Sequence, residues 1–204
     1  METKIAKVIS NVFHPLLMPT YSLIVLFYIK SYLYLVFPGN TRVAIIAIVF
    51  FNTALMPALI FFFMKLRNII SSLRMEDRRE RVIPFIVTAL FYFGTYVMLR
   101  KFHLPSIIYY LTFGSSCLII IALTINFWWK ISIHMLGIGG LTGSLLCIAA
   151  YLSVYPGVMV ALTILIAGLI GFARLKLLAH TPMQVYAGFV TGAFFMMGLF
   201  WLIA

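Results

Sequence analysis

Long apolar stretches fill most of this chain, and short polar clusters separate them. Seven stretches come near the ~20 residues that a helix needs to cross a membrane. They cover residues 16–37, 43–64, 82–99, 106–127, 134–152, 157–172 and 183–203. The pattern predicts an all-α, polytopic transmembrane helical bundle of six or seven spans, because prolines at the start of the first stretch also suit an interfacial segment. Residues 1–204 show no linker or shift in composition, so we expect a single integral membrane domain.

The composition agrees with a membrane protein and argues against a soluble one. Hydrophobic residues make up 64% of the 204 residues and charged residues only 9%, against about 25% charged in soluble domains. In a soluble protein the net charge of +11 would suit nucleic acid, but no soluble domain is left here to bind it. We therefore expect membrane lipids and phosphate esters as partners and a multi-pass location in the cell membrane.

Three polar clusters interrupt the apolar pattern, at residues 74–81, 130–134 and 174–180. They follow the second, fourth and sixth apolar stretches, so all three lie on one membrane face, where a single composite site can form. Ionisable residues at membrane level are costly and persist mainly where function or a partner keeps them. The larger share of lysine and arginine on this face favours the cytoplasmic side, but the leaflet stays open.

The spacing of basic, serine and histidine residues in these clusters follows a known pattern. In order along the chain they read Arg74-x6-Arg81, Ser132-x-His134 and Arg174-x5-His180. This order resembles the type 2 phosphatidic acid phosphatase superfamily, which is related to the vanadium haloperoxidases. That family reads Lys-x6-Arg-Pro, Pro-Ser-Gly-His and Ser-Arg-x5-His-x3-Asp. The resemblance extends over residues 74–184, and the Arg-x5-His spacing is its most specific part.

Several positions depart from the family pattern. Arg74 stands in place of lysine, which keeps the charge but changes its geometry, and the proline of the first motif is displaced by two residues. Isoleucines flank Ser132 where the family has proline and glycine, and alanine precedes Arg174 in place of serine. The largest departure is Gln184, four residues beyond His180, where the family has aspartate.

The resemblance implies a phosphatase that needs neither a metal nor a cofactor and works through a phosphohistidine. By that analogy His180 is the nucleophile, His134 protonates the leaving oxygen, and Gln184 occupies the position that orients His180. Positively charged and hydroxyl groups would hold the substrate phosphate. These donors are Arg74, Arg81, Lys130, Ser132 and Arg174.

Two interpretations of Gln184 stay open. Its amide oxygen can accept a hydrogen bond from the His180 ring but carries no charge, and replacing the aspartate of a serine-protease triad by its amide costs about 10⁴ in turnover. The run Thr181-Pro182-Met183-Gln184 also fits a helix capping box with Thr181 as the N-cap. Both roles can hold at once.

We expect an integral membrane lipid phosphatase that hydrolyses a phosphate monoester or pyrophosphate of the polyprenyl or phosphatidate type. Family analogy favours polyprenyl pyrophosphate. The rival hypothesis is a catalytically weak or inactive relative that binds or transports lipid phosphates. Gln184 favours the rival, whereas the presence of both His134 and His180 favours the enzyme. The sequence leaves the oligomeric state open.

Other residues near the clusters are expected to be structural. His14 and His103 have no partners at motif spacing. Residues 78–80 suit a solvated interfacial loop, and the same interpretation stays open for Arg74 and Arg81. Glycines are expected to allow close packing of helices, namely Gly137, Gly139, Gly140, Gly143, Gly188 and Gly192.

Overall fold

The computed structural model describes residues 1–29, 32–73, 75, 77–152 and 157–203. Within these ranges the regular elements are all helical. The helices are α1 (Glu2–Val12), α2 (Met18–Tyr28), α3 (Tyr32–Val36), α4 (Gly39–Phe50), α5 (Met56–Leu66), α6 (Val82–Lys101), α7 (Ser106–Asn126), α8 (Ile133–Tyr151), α9 (Gly157–Lys176) and α10 (Pro182–Ile203). Short 3₁₀ turns at Pro15–Leu17 and Arg79–Arg81 lead into α2 and α6, and a π-helical turn at Phe51–Leu55 joins α4 to α5.

In the part of the chain that the structure describes, seven segments are long and apolar enough to cross a membrane. They are Glu2–Tyr28, Gly39–Leu66, Arg79–Lys101, Ser106–Asn126, Ile133–Ala150, Gly157–Lys176 and Pro182–Ile203. Many large apolar side chains, among them Phe194 and Trp201, are exposed on the outside of the bundle, as expected where lipid replaces water. The predicted all-α bundle is confirmed, and the chain is a multi-pass membrane protein.

The first predicted span, residues 16–37, is where the structure differs most from the prediction. α2 ends at Tyr28 and α3 is a separate short helix, while residues 30–31 lie outside the described ranges. The helical segment extends instead toward the N-terminus, where α1 is followed by His14 and the turn at Pro15. Proline has no backbone N–H to continue the helical hydrogen bonds, so α1 and α2 are distinct helices.

α8 and α10 pack in direct backbone contact, and this pair positions the candidate site. A Cβ atom on Gly139 of α8 would overlap the carbonyl group of Phe189, and one on Gly188 of α10 would lie 2.6 Å from the Ser132 carbonyl oxygen. Residues without side chains let two helices approach this closely. The close helix packing predicted from the glycines is therefore confirmed.

The two packed helices run in the same direction. Along α8, residues 132, 139 and 147 lie beside residues 188, 189 and 197 of α10, so both sequences advance together. At the shared end, the Ser132 N–H donates to the Gln184 carbonyl oxygen at 3.3 Å. Both helix N-termini, with their positive partial charge, therefore lie at one membrane face.

α1 packs against α9 at the same end of the bundle. It buries Ala6 and Ser10 on the side facing its neighbour. Glu2, at the start of α1, forms a salt bridge with Lys176 at the end of α9. The N-terminal helix therefore lies beside the second and third polar clusters.

The loop before α6 is attached to the end of α7. Asn126 Nδ2 donates to the Arg78 carbonyl oxygen at 2.7 Å, and Arg78 Nη1 donates to the Trp128 carbonyl oxygen at 2.9 Å. Glu80 accepts hydrogen bonds from the Ser71 backbone and hydroxyl, both at 3.0 Å. The loop that was predicted to be solvated is thus exposed at Arg78, but hydrogen bonds attach it to α7 and to Ser71. These bonds satisfy polar groups of the loop that would otherwise lack partners.

Candidate functional site

The N-terminal ends of α8 and α10 form the centre of the candidate site. Ser132 precedes α8 and is completely buried, yet its hydroxyl has no hydrogen-bond partner among the residues that the structure describes. A buried hydroxyl without a partner is costly, and such a group calls for a specific explanation. Its place at a helix N-terminus, beside backbone N–H groups, is suited to an anionic oxygen.

Gln184 contacts His180 through its side chain. Gln184 Oε1 lies 3.1 Å from His180 Nδ1 and also accepts the Thr181 backbone N–H at 3.1 Å. The Thr181 hydroxyl in turn accepts the Gln184 N–H at 3.4 Å. The capping box read from the sequence is present, and the same amide oxygen also bonds the histidine ring.

These bonds determine which nitrogen of His180 carries the proton. The Thr181 N–H can only donate, so the Gln184 amide must present its oxygen at this point. That oxygen can only accept from His180, so Nδ1 bears the hydrogen in the neutral ring. His180 Nε2 therefore keeps its lone pair, which is the arrangement a nitrogen nucleophile requires.

The surroundings of His180 keep its ring neutral. The side chain is 9% exposed, and burial lowers the pKa of His180 from 6.5 to about 4. The hydrogen bond to Gln184 opposes this shift, while the charges of Arg174, Arg81 and Lys130 add to it. At neutral pH the imidazole is uncharged and Nε2 is free of a proton.

His134 lies in the first turn of α8 and is bound by the N-terminal helix. Its Nε2 lies 3.2 Å from the Ser10 carbonyl oxygen. A carbonyl oxygen accepts and cannot donate, so Nε2 carries the hydrogen and Nδ1 is the acceptor in the neutral ring. The ring of His14 packs edge-on against His134, with centroids 5.7 Å apart and planes at 76°.

Arg174, in the last turn of α9, lies within electrostatic range of the other site residues. Its Nη1 donates to the Ser10 hydroxyl at 3.3 Å. Its charge acts on a group of residues from four separate parts of the chain, namely His14, Arg81, His134 and His180. The three polar clusters therefore approach one another in space.

The remaining predicted phosphate donors lie at the edge of this group. Arg81 is 5% exposed, and its Nε donates to the Met75 carbonyl oxygen at 2.9 Å. Met75 has a left-handed backbone, with φ of 48°. Lys130 is half-buried, and its charge acts on His180. Arg74 lies outside the described residues.

Motif spacing missed three residues that contact this group. Ser10 bonds both His134 and Arg174, and His14 packs on His134. The buried Asn126 joins the first polar cluster to the end of α7. His14 was expected to be structural because it has no partner at motif spacing, yet the fold brings it to the site. His103, by contrast, is exposed in the turn after α6.

The residues described here contain no group of three or more histidine, cysteine, aspartate or glutamate side chains placed to hold a metal ion. Comparison of the chain with protein-family models, curated proteins and solved structures finds no match. The fold and the site therefore define an all-α multi-pass membrane protein with histidine, arginine and serine side chains gathered at the start of two parallel helices.

Proposed function

We propose that the protein is an integral membrane lipid phosphatase that hydrolyses a phosphate monoester or pyrophosphate through a phosphohistidine on His180. The observation that carries the proposal is the Gln184–His180 bond, which leaves His180 Nε2 unprotonated within range of three cationic side chains. A buried neutral imidazole among cations is suited to attack an anionic substrate. Simple anion binding requires the cations but not this tautomer.

The phosphate-binding role is assigned to the positive groups and helix ends around His180. Arg81 and Arg174 have planar guanidinium groups that match the geometry of phosphate oxygens. The Ser132 hydroxyl, buried without a partner, supplies a further donor, and Lys130 supplies a charge. Arg74 is assigned to the same role on sequence spacing. Together these groups neutralise charge on the oxygens of the transferring phosphoryl group.

In the first half-reaction, the lone pair of His180 Nε2 attacks phosphorus. The P–N bond forms while the bond between phosphorus and the lipid oxygen breaks. His134 takes a proton from the singly protonated phosphate of the bound substrate and transfers it to the leaving oxygen, so that a lipid alcohol, or a lipid monophosphate in the case of a pyrophosphate, departs. His134 is then neutral, and the phosphoryl group is bound to His180.

In the second half-reaction, water attacks the phosphorus of the phosphohistidine. His134 takes the proton from the attacking water and passes it to the phosphate that is released, and the P–N bond breaks with its electron pair returning to Nε2. Inorganic phosphate leaves, and both histidines regain their starting states. Gln184 accepts from Nδ1–H throughout, which stabilises the positive charge that develops on the His180 ring.

A lipid substrate is favoured by the location of the site. The candidate residues lie at the ends of membrane-spanning helices, so a headgroup can reach them from the interface while its tail stays in hydrocarbon. Exposed Trp128 next to the second cluster suits the headgroup region. Polyprenyl pyrophosphate is the preferred substrate class on family analogy, and phosphatidate-type lipids are the second.

The test is phosphate release by the purified protein from a panel of polyprenyl pyrophosphates, polyprenyl phosphates and phosphatidates, with a metal chelator present. We expect turnover of at least one lipid and none of water-soluble phosphate esters at the same concentration. Binding of these lipids without any phosphate release would contradict the proposal and establish the rival class, a lipid-phosphate binding protein.

A further inference from the structure

The end of α1 and the residues that follow it lie against the candidate site, although no sequence motif includes them. We call residues 10–14 the N-terminal segment. α1 reaches this position because it buries one face against α9 and pairs Glu2 with Lys176. The segment then enters the 3₁₀ turn at Pro15–Leu17, which leads into α2.

Two carbonyl groups at the end of α1 accept hydrogen bonds from side chains of other helices. The last four carbonyls of a helix have no partner within it. Here the Ser10 carbonyl oxygen accepts from His134 Nε2 at 3.2 Å, and the Val12 carbonyl oxygen accepts from the Tyr21 hydroxyl at 2.7 Å. The negative end of the α1 dipole therefore lies beside the His134 ring.

Ser10 links His134 to the phosphate-binding arginine. Its carbonyl oxygen bonds the histidine and its hydroxyl accepts Arg174 Nη1 at 3.3 Å. Ser10 is 5% exposed, so both bonds lie away from water. One residue of α1 thus orients two groups that the proposed mechanism uses for different tasks.

His14 completes the contact. Its Nδ1 accepts the Leu16 N–H at 3.3 Å, so the neutral ring carries its hydrogen on Nε2. A second proton on Nδ1 would break the bond to Leu16. His14 therefore cannot serve as a proton donor without disrupting the turn, and its edge-on packing against His134 restricts the orientation of that ring.

We propose that the N-terminal segment is a positioning element of the site, in which Ser10 and His14 hold His134 with Nδ1 presented to the leaving oxygen. This inference rests on the proposed phosphatase function. With Nε2–H donating to Ser10, only Nδ1 is available to release a proton to the substrate and to recover one from water. Ser10 also places Arg174, so the segment couples phosphate binding to proton transfer.

Two replacements of His14 separate its two contacts. His14→Asn keeps a side-chain acceptor for the Leu16 N–H but removes the ring that packs on His134. His14→Phe keeps a ring but removes the acceptor. We expect His14→Asn to lower kcat for lipid phosphate by about tenfold, with little change in KM or melting temperature, since small misplacements of a catalytic group have effects of this size or larger. His14→Phe should retain more turnover and melt earlier.

Ser10→Ala tests the link to Arg174. The backbone carbonyl remains, so His134 keeps its partner, while the arginine loses its hydroxyl contact. We expect a higher KM and weaker inhibition by inorganic phosphate with kcat preserved. The opposite pattern of kinetic changes in Ser10→Ala and His14→Asn supports a positioning role. Wild-type kcat in His14→Asn, or an equal loss of kcat and stability in both variants, would overturn it.

A spectroscopic measurement tests the geometry independently of activity. In wild-type protein labelled with ¹⁵N-histidine, the ring signals assigned by a His134→Gln variant should show a protonated Nε2 and an unprotonated Nδ1 at neutral pH. The reverse tautomer would overturn the proposal even in an active enzyme. Absence of turnover in the wild-type protein would instead contradict the phosphatase function itself.

Discussion

Gln184 binds the ring of His180, with Oε1 and Nδ1 3.1 Å apart. The same oxygen accepts the Thr181 N–H at the start of α10, so one uncharged side chain caps the helix and sets the histidine tautomer. A carboxylate here would stabilise a positive charge on the ring more strongly than the uncharged amide does. The capping and orienting roles, alternatives at the level of sequence, coexist in the structure.

Replacing Gln184 should separate orientation from charge. In Gln184→Leu the His180 ring loses its hydrogen-bond partner, so we expect turnover to fall by at least about tenfold. The loss should stay below the ~10⁴-fold effect of an aspartate-to-amide change in a catalytic triad. Gln184→Glu keeps the length and acceptor and adds a charge, so it should retain or raise turnover. Phosphate release per folded molecule and melting temperature should be measured together.

Thr181→Ala is the matched control, because it removes the capping hydroxyl without touching His180. We expect a loss of about 1 kcal/mol in stability and turnover per folded molecule near wild type. If Gln184→Leu behaves like Thr181→Ala, with reduced stability only, then Gln184 is a helix cap and another group orients the histidine.

The low pKa of His180 should make the protein less stable in acid. Its pKa is about 4 in the folded protein against an ordinary 6.5, so between these values the unfolded chain binds more protons than the folded one. Stability should therefore fall as the pH is lowered from 6.5 to 4 and change little from this cause below 4. Melting temperatures across this range, compared with those of His180→Asn, isolate the contribution.

In His180→Asn the slope of melting temperature against pH should be smaller over the same window. Identical slopes in the two proteins would show that His180 titrates normally and that its environment is more hydrated than the fold indicates. The same pKa predicts the pH dependence of activity. The nucleophile stays unprotonated down to about pH 4, so kcat/KM should fall only as the pH approaches that value.

His180 should carry the phosphoryl group during turnover. Incubation with a ³²P-labelled lipid substrate and rapid denaturation in base should trap label on the protein, because a phosphohistidine is a covalent intermediate. His180→Ala should abolish the label and lower phosphate release at least ~10³-fold. His103→Asn is the control, since His103 is exposed with φ of 53°, which asparagine tolerates. Label that persists in His180→Ala would assign the nucleophile elsewhere.

Apolar periodicity predicted the later helices well and the first one poorly. The stretches 106–127 and 183–203 correspond to α7 and α10, because a short polar or proline-containing loop precedes each of them. At the N-terminus the amphipathic α1 lacks a continuous apolar run, so a search for 20 apolar residues began after it. Its burial depends on α9, which no local pattern reveals.

Motif spacing located the polar clusters but not the contacts between them. Ser132 and His134 are separated by one residue, and His180 follows Arg174 after five residues. Such short spacings can be recognised from the sequence alone. Ser10 lies 124 residues from His134 and 164 residues from Arg174 along the chain. A backbone carbonyl leaves no trace in the residue type, so this partner of His134 could be found only from the fold.

Arg81 should contribute to phosphate binding more than its neighbours in the same loop. Arg81→Gln should raise KM and weaken inhibition by inorganic phosphate by about tenfold or more, since hydrogen bonds to charged groups contribute about 1.5–3 kcal/mol. Arg81→Lys keeps the charge and should be intermediate. The exposed Arg79 is the control, and Arg79→Gln should change neither constant beyond about twofold. Equal changes in KM and in phosphate inhibition for Arg81→Gln and Arg79→Gln would indicate that Arg81 acts only through long-range electrostatics and does not contact the phosphate.

The contact between α8 and α10 should be required for the site to form. A Cβ atom on Gly192 would overlap the Leu136 carbonyl group and lie 2.8 Å from the Gly140 nitrogen, and backbone atoms in a packed helix pair cannot move aside singly. Gly192→Ala should therefore separate the two helices, which lowers the melting temperature and weakens the Ser132–Gln184 contact at their shared end.

Gly198 offers a control in the same helix, because a Cβ atom there would meet no atom within 4 Å. Gly198→Ala should alter stability by no more than about 1 kcal/mol, in the favourable direction expected for alanine in a helix. Phosphate release should fall with stability in Gly192→Ala and stay near wild type in Gly198→Ala. A wild-type melting temperature and wild-type turnover in Gly192→Ala would show that α8 and α10 can accommodate the extra methyl group. The close pairing of their N-termini would then not be the reason that Ser132 and His134 lie beside His180.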